Sequence, residues 1–179
     1  MTNTELSKYL SLLLRHQPEK EGITIDKNGY TDVAILLEKL HITKETLDEI
    51  VRTDNKQRYS YDSTNTKIRA NQGHSLPYVE INYKEFTPKT KIYHGTAKKF
   101  EADIDKKGLI PKTRNYVHLS QDLETATNVG LRHAKSRVNL VIYEIDVQGM
   151  LRDGLKFYIS DNNVVLTDSV PKKYLKKVV

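Results

Sequence analysis

The side chains in this chain best suited to chemistry are arginines and histidines set beside hydroxyl and amide groups. The densest run is Lys67-Ile68-Arg69-Ala70-Asn71-Gln72-Gly73-His74-Ser75. Such a run makes a poor core strand, because too many of its groups would need buried partners. It has the donors to hold an anion: Arg69 offers a planar fork, and Gln72, His74 and Ser75 add amide, imidazole and hydroxyl groups. Taken alone, it reads as a solvated hairpin arm followed by a loop. Arg15-His16 is a second candidate. Arginine and histidine together can bind a phosphate, and a histidine can also carry a proton near neutral pH. Their alternative role is to sit at the negative end of a helix dipole.

Two short motifs repeat one design. Tyr93-His94-Gly95-Thr96 places a histidine at a strand end, then a glycine that lets the backbone come close, then a hydroxyl. Val117-His118-Leu119-Ser120 places a histidine and a hydroxyl at the end of another strand. Each alone suits a core histidine as well as a ligand contact; the repetition favours the ligand.

Composition removes several chemistries. The chain has no cysteine, which excludes disulfides, thiolate catalysis and thiolate-bound metals. It has no HExxH and no carboxylate cluster, so no metal site is expected. Neither GxGxxG after a strand nor GxxxxGK[ST] occurs, which argues against Rossmann and P-loop nucleotide sites. Over the 179 residues the net charge is +6 and the pI about 9.3, so acidic partners are favoured, nucleic acid first. No run approaches the ~18 apolar residues needed to span a bilayer, and no signal peptide is visible. The expectation is a cytoplasmic monomer away from membranes.

The elements that must position these residues follow from periodicity. Leu6, Tyr9, Leu10, Leu13 and Leu14 mark one helix face, with Thr2 and Glu5 as a capping box and Pro18 ending the helix near His16. Asp26-Lys27-Asn28-Gly29-Tyr30 is a turn. A second helix follows Thr31, with Val33, Leu36, Leu37 and Leu40 inward. A third follows Thr43, with Leu47, Ile50 and Val51 inward. Arg58–Asp62 and Lys67–Asn71 read as a hairpin. Three helices and a hairpin suggest a winged-helix-like module. Its third helix carries Glu45, Asp48 and Glu49, a poor surface for reading duplex grooves.

Tyr78–Lys91 shows no periodicity and reads as the joint. Beyond it, strands are expected at Lys91–Tyr93, Tyr116–Leu119, Leu140–Ile145, Lys156–Ile159 and Val164–Thr167. One helix is expected from about Asp122 to His133, with Leu123, Ala126 and Gly130 inward. The helical Gly130 implies a close approach of another group. The lysines at 172, 173, 176 and 177 read as a solvated helix or strand end, and secondarily as an RNA-backbone contact. The class is α+β.

In this order the motifs resemble the NAD-dependent RNA 2′-phosphotransferases, the KptA family, over nearly the whole length. The matching stretches are Leu6–Ser11 with Leu14-Arg15-His16, Asp26–Tyr30, Ile68–Ser75, Tyr93–Thr96 and Gly108–Pro111. They continue with Val117–Ser120, Val129–His133 and Val164–Pro171. The resemblance implies a winged-helix-like RNA lobe over 1–80, a linker over 81–90 and an ADP-ribosyltransferase-like, NAD-binding lobe over 91–179. It implies removal of an internal 2′-phosphate from RNA, tRNA-like or other. NAD would be consumed as co-substrate, through an RNA-2′-phospho-ADP-ribose intermediate, releasing nicotinamide and ADP-ribose 1″,2″-cyclic phosphate.

The family's catalytic set maps onto Arg15, His16, Arg69 and Arg132. Its NAD-holding positions map onto His94, Gly95, Thr96, His118 and Ser120, with Arg114 near the pyrophosphate. Gln72, His74 and Ser75 would shape the substrate cleft. The chain departs from the pattern where a further histidine is usual near Tyr116, and where a glycine is usual at Ala134. Two other readings compete: an ADP-ribosyltransferase acting on phosphorylated nucleic-acid ends, and a non-catalytic RNA-binding module.

Overall fold

A computed structural model describes residues 1–179. The chain divides into two compact units, Met1–Asn82 and Tyr83–Val179.

The first unit is three helices and a small antiparallel sheet. Helix α1 (Asn3–Arg15) starts at a complete capping box. The Thr2 N–H donates to Glu5 Oε2 at 2.7 Å, and the Glu5 N–H donates to Thr2 Oγ1 at 3.2 Å. Its stripe of Leu6, Leu10, Leu13 and Leu14 is buried. The helix ends where His16 and Gln17 both donate to the Leu12 carbonyl, just before the buried Pro18. Strand β1 (Tyr30–Asp32) leads into α2 (Val33–Leu40), whose N-terminus is capped by Asp32. Helix α3 (Lys44–Thr53) is capped by Thr43, whose hydroxyl accepts from the Thr46 N–H. Strands β2 (Tyr59–Tyr61) and β3 (Lys67–Ala70) form the hairpin, with Tyr59 opposite Ala70.

The sheet order is β1-β3-β2. The first strand is an addition to the expected hairpin: between the turn over Asp26–Tyr30 and the second helix, the chain forms a strand. Three residues are too few for alternation to register, and pairing with β3 is what makes them a strand.

In the second unit, β4 (Lys84–Phe86), β5 (Ile92–Ala97), α4 (Glu101–Lys107), β6 (Val117–Leu119), α5 (Leu123–Ala134) and β7 (Leu140–Ile145) come first. They are followed by α6 (Val147–Arg152), β8 (Phe157–Ile159), β9 (Val165–Thr167) and β10 (Leu175–Lys177). Two antiparallel sheets result, ordered β10-β7-β5 and β4-β8-β9-β6. Alternate residues of β7 serve two cores. Val141, Tyr143 and Ile145 join Val117, Leu119, Phe157 and Val165 from the other sheet. Leu140 and Ile142 join Ala126 and Ala134 of α5. Coverage of both faces explains why Leu140–Ile145 is an almost unbroken apolar run.

Two expectations need correction. The linker assigned to 81–90 contains β4, which pairs with β8 through Lys84 opposite Ile159 and Phe86 opposite Phe157. That pairing is non-local and leaves no periodic trace in three residues. Leu123 is 45% exposed and not inward, because as the first residue of α5 it precedes the face that meets the sheet. The basic C-terminal stretch is the solvated helix or strand end expected: a helical turn at Lys172–Tyr174 followed by β10, which pairs with β7, with Lys172, Lys173, Lys176 and Lys177 all exposed.

Candidate active site: an arginine–histidine cluster and a two-histidine strand crossing

In the first unit the end of α1 and the segment after β3 are fastened together. Arg15 occupies the last turn of α1 and is only 7% exposed. Its carbonyl accepts from the Ser75 N–H at 3.0 Å, and His16 Nδ1 lies 2.8 Å from Ser75 Oγ. Gly73, at φ 90°, lets the chain pass close to the Arg15 side chain: a Cβ there would stand 3.2 Å from Nε.

Arg69 enters from β3. It stands opposite Tyr30 in the β1–β3 register, and its guanidinium carbon lies 4.8 Å from the centre of the Tyr30 ring. Its Nη1 donates to the Asn28 carbonyl at 3.3 Å. That carbonyl is presented by the turn, which Asp26 holds by accepting from the N–H groups of Asn28 and Tyr30.

His74 is 2% exposed, and neither ring nitrogen has a hydrogen-bond partner. Burial, followed by the charges of Arg15, Arg69 and His16, lowers its pKa to about 4. It is therefore a neutral imidazole at pH 7 among cationic side chains. The Gln72 side-chain oxygen is likewise buried without a partner. Unsatisfied polar atoms of this kind are rare in native interiors and concentrate where a ligand or ordered water completes the site.

The polar run therefore is not the solvated arm that its composition suggested, since Asn71, Gln72 and His74 are buried. Its members divide by role. Asn71 is structural: its Nδ2 donates to the Gln57 carbonyl, its Oδ1 accepts from the Ser60 hydroxyl, and its N–H bonds the Arg58 carbonyl. Arg69, His74 and Ser75 are gathered with Arg15 and His16.

In the second unit the two histidine motifs meet. Tyr93 and Ser120 exchange backbone hydrogen bonds of 2.8 Å in each direction, joining β5 to the end of β6. His94 Nδ1 lies 3.1 Å from the His118 carbonyl oxygen. A carbonyl only accepts, so His94 carries its proton on Nδ1 and keeps Nε2 as an acceptor. Arg114 Nη1 lies 2.9 Å from His118 Nδ1. A guanidinium only donates, so His118 is neutral with its proton on Nε2. Burial, with the charges of His133 and Lys112, also lowers the His94 pKa.

Around these two rings stands a cationic group. Arg132 acts on Arg114, whose pKa burial lowers first and Arg132 second. His133 is lowered by burial and then by Arg132, Arg114, Lys99 and Lys112. Lys112 Nζ lies 4.1 Å from the centre of the Phe100 ring, and His133 meets the same ring edge-on at 6.4 Å. The His118 Nε2–H and the clustered cations can donate to a dinucleotide pyrophosphate, and the His94 Nε2 can accept from a ribose hydroxyl. No group of three or more His, Asp or Glu side chains is arranged to hold a metal ion.

Not every candidate reaches this surface. Thr96 is buried in β5, and Ser120 contributes backbone groups to the crossing. Gly95 serves the packing of α5: a Cβ on it would lie 1.8 Å from the Ala126 carbonyl oxygen. Gly130 is its counterpart on α5, where a Cβ would lie 3.1 Å from the Thr96 nitrogen. Arg132 belongs to the second unit, with Arg114, and not to the unit that holds Arg15 and Arg69. Sequence reasoning did not single out Tyr30 beneath Arg69, or Lys99, Lys112 and Phe100 beside His133. The β1–β3 register is the signal that would have found Tyr30.

A family model described as "RNA 2′-phosphotransferase, Tpt1 / KptA family" matches residues 1–169. The chain is 47% identical over 176 residues to a Flavobacterium johnsoniae protein, covering 96% of this chain and 94% of that one. It is 44% identical over 179 residues to one from Fusobacterium nucleatum, covering 97% and 98%. A third, from Escherichia coli, is 43% identical over 177 residues, covering 96% and 94%. Each of the three is named "Probable RNA 2′-phosphotransferase".

Proposed function

The chain belongs to the RNA 2′-phosphotransferase, Tpt1 / KptA, family of transferases, and from that membership we propose that it removes an internal 2′-phosphate from RNA with NAD as the consumed co-substrate. The observation that supports this most is the convergence of Arg15, His16 and Arg69 on the neutral, buried His74. Guanidinium groups with an imidazole suit a phosphate that must be aimed and charge-compensated.

In this reading the first unit is a winged-helix-like RNA lobe and the second an ADP-ribosyltransferase-like lobe, with Arg15, His16, Arg69 and Arg132 as the catalytic groups. A phosphate is already anionic near neutral pH and needs no base in order to attack. In the first step an oxygen of the 2′-phosphate bonds to the nicotinamide-bearing ribose carbon, and nicotinamide leaves with the electron pair of the broken C–N bond. In the second step the neighbouring ribose hydroxyl attacks phosphorus and gives its proton to His16. The RNA 2′-oxygen leaves and takes up a proton. The arginines stabilise charge on the phosphoryl oxygens, which a planar fork does better than a lysine.

His94, His118 and Arg114, with Gly95, Thr96 and Ser120 framing the strand crossing, are assigned to NAD. NAD supplies the ribose that accepts the phosphate. These residues would hold its pyrophosphate and riboses through neutral imidazoles and a cationic flank. The strand facing this site offers Val165 and Leu166, both fully buried and apolar, and no carboxylate. A phosphate nucleophile requires none. The test is nicotinamide release measured with unmodified and with 2′-phosphorylated RNA of one sequence. Release that depends on the 2′-phosphate supports the reading; release indifferent to it would refute it.

A further inference from the structure

His16 and Ser75 are joined in a way that bears on which nitrogen of His16 can take a proton. Ser75 is tied twice to the end of α1: its N–H donates to the Arg15 carbonyl at 3.0 Å, and its Oγ lies 2.8 Å from His16 Nδ1. The segment is held on both sides of that contact. Gly73 packs against the Arg15 side chain, and the His74 ring is buried against the Gly29 turn. The serine hydroxyl therefore has little freedom to leave the imidazole.

A hydroxyl can donate to Nδ1 or accept from it, and the two choices give His16 opposite tautomers. If Ser75 donates, the His16 proton lies on Nε2 and the far side of the ring cannot act as a base. If Ser75 accepts, Nδ1 carries the proton and Nε2 holds the basic lone pair. The second arrangement survives the reaction unchanged. When Nε2 takes a proton, the Nδ1–H···Oγ bond stays in place and becomes charge-assisted, hence stronger. Ser75 is half-buried, so its own hydroxyl hydrogen can reach water in this arrangement.

We infer that Ser75 is the positioning residue for His16: its Oγ accepts from Nδ1–H, fixes the ring and leaves Nε2 as the nitrogen that takes a proton. The inference rests on the reading of His16 given above. In the step concerned the ribose O–H breaks, its hydrogen bonds to Nε2, and the Nδ1–H···Oγ bond supports the imidazolium that forms.

The test combines nuclear magnetic resonance with kinetics on the full chain. Long-range proton–nitrogen correlation on histidine-labelled protein at neutral pH, with His16→Asn to assign the signals, reports which nitrogen is protonated. The expected result is a bare Nε2 in the native protein and a return towards the ordinary Nε2–H preference in Ser75→Ala. Ser75→Ala should lower kcat about tenfold and leave the KM values within about twofold, and Ser75→Thr should restore most of the rate. An Nε2–H tautomer in the native protein would overturn the inference. So would a tautomer unmoved by Ser75→Ala, or a rate loss that Ser75→Thr does not repair. The tautomer is read without substrate, so failure of the phosphotransfer assay leaves this result intact. Active protein with the wrong tautomer would defeat this inference alone.

Discussion

A Cβ placed on Gly95 would stand 1.8 Å from the carbonyl oxygen of Ala126, closer than any carbon can approach a backbone oxygen. The glycine of the first histidine motif is thus explained by the seating of α5 on β5. Gly95→Ala is expected to destabilise the second unit by about 3 kcal/mol or more, at the upper end for overpacking. Calorimetry should show a lowered transition whether or not NAD is present. An unchanged transition with selective loss of NAD binding would return Gly95 to the role of a ligand contact.

Arg69 lies over the Tyr30 ring and donates to the Asn28 carbonyl, so its fork is aimed by the turn and by β1. Arg69→Ala should lower kcat by ~10²-fold or more, the range for loss of one preorganised charge-stabilising donor. Arg69→Lys should recover little, because an ammonium offers neither the fork nor the stacking plane. Single-turnover rates on 2′-phosphorylated RNA measure both variants.

The buried His74 makes stability pH-dependent in a definite direction. Its folded pKa, about 4, lies below the ordinary histidine value of 6.5. Between these values the unfolded chain binds the proton and the folded chain does not, so stability is full above about pH 6.5 and declines down to about pH 4. The size is on the order of 3 kcal/mol over that window. His94 and His133 are shifted the same way and add to the slope. His74→Gln should therefore flatten, without abolishing, the loss of stability on acidification in denaturant titrations from pH 7 to pH 4. A slope equal to that of the native protein would show that His74 is not the group concerned.

Arg114 holds His118 in its Nε2–H tautomer and stands beside Arg132. Arg114→Ala should raise the KM for NAD about tenfold with a smaller change in kcat, the pattern of lost uniform binding. Titration calorimetry with NAD alone should show the same weakening. A loss confined to kcat would place Arg114 in the chemical step.

Local signals in the sequence were enough to place much of this. The capping box at Thr2 and Glu5, the cap at Thr43 and the Tyr59–Ala70 hairpin depend on residues close in the chain, and they stand where the residue types put them. The helical Gly130 correctly announced a close approach, here to β5. What composition could not reveal depends on distant pairing. Strand β1 exists because β3 pairs with it, and β4 because β8 does. The burial of Gln72 and His74 follows from the α1 terminus and the Gly29 turn closing over a polar segment, which no window of nine residues can show. The crossing of the two histidine motifs likewise depends on the Tyr93–Ser120 bridge, between residues remote in sequence.

The central claim is that this chain moves an RNA 2′-phosphate onto the ribose of NAD. The most direct test is to incubate a 2′-phosphorylated oligoribonucleotide with NAD and identify every product by mass spectrometry. The account predicts an oligonucleotide shorter by one phosphate, free nicotinamide, and ADP-ribose 1″,2″-cyclic phosphate in equal amounts. RNA that keeps its 2′-phosphate while NAD is untouched, or that ends as a stable ADP-ribosyl adduct with no cyclic phosphate released, would contradict it.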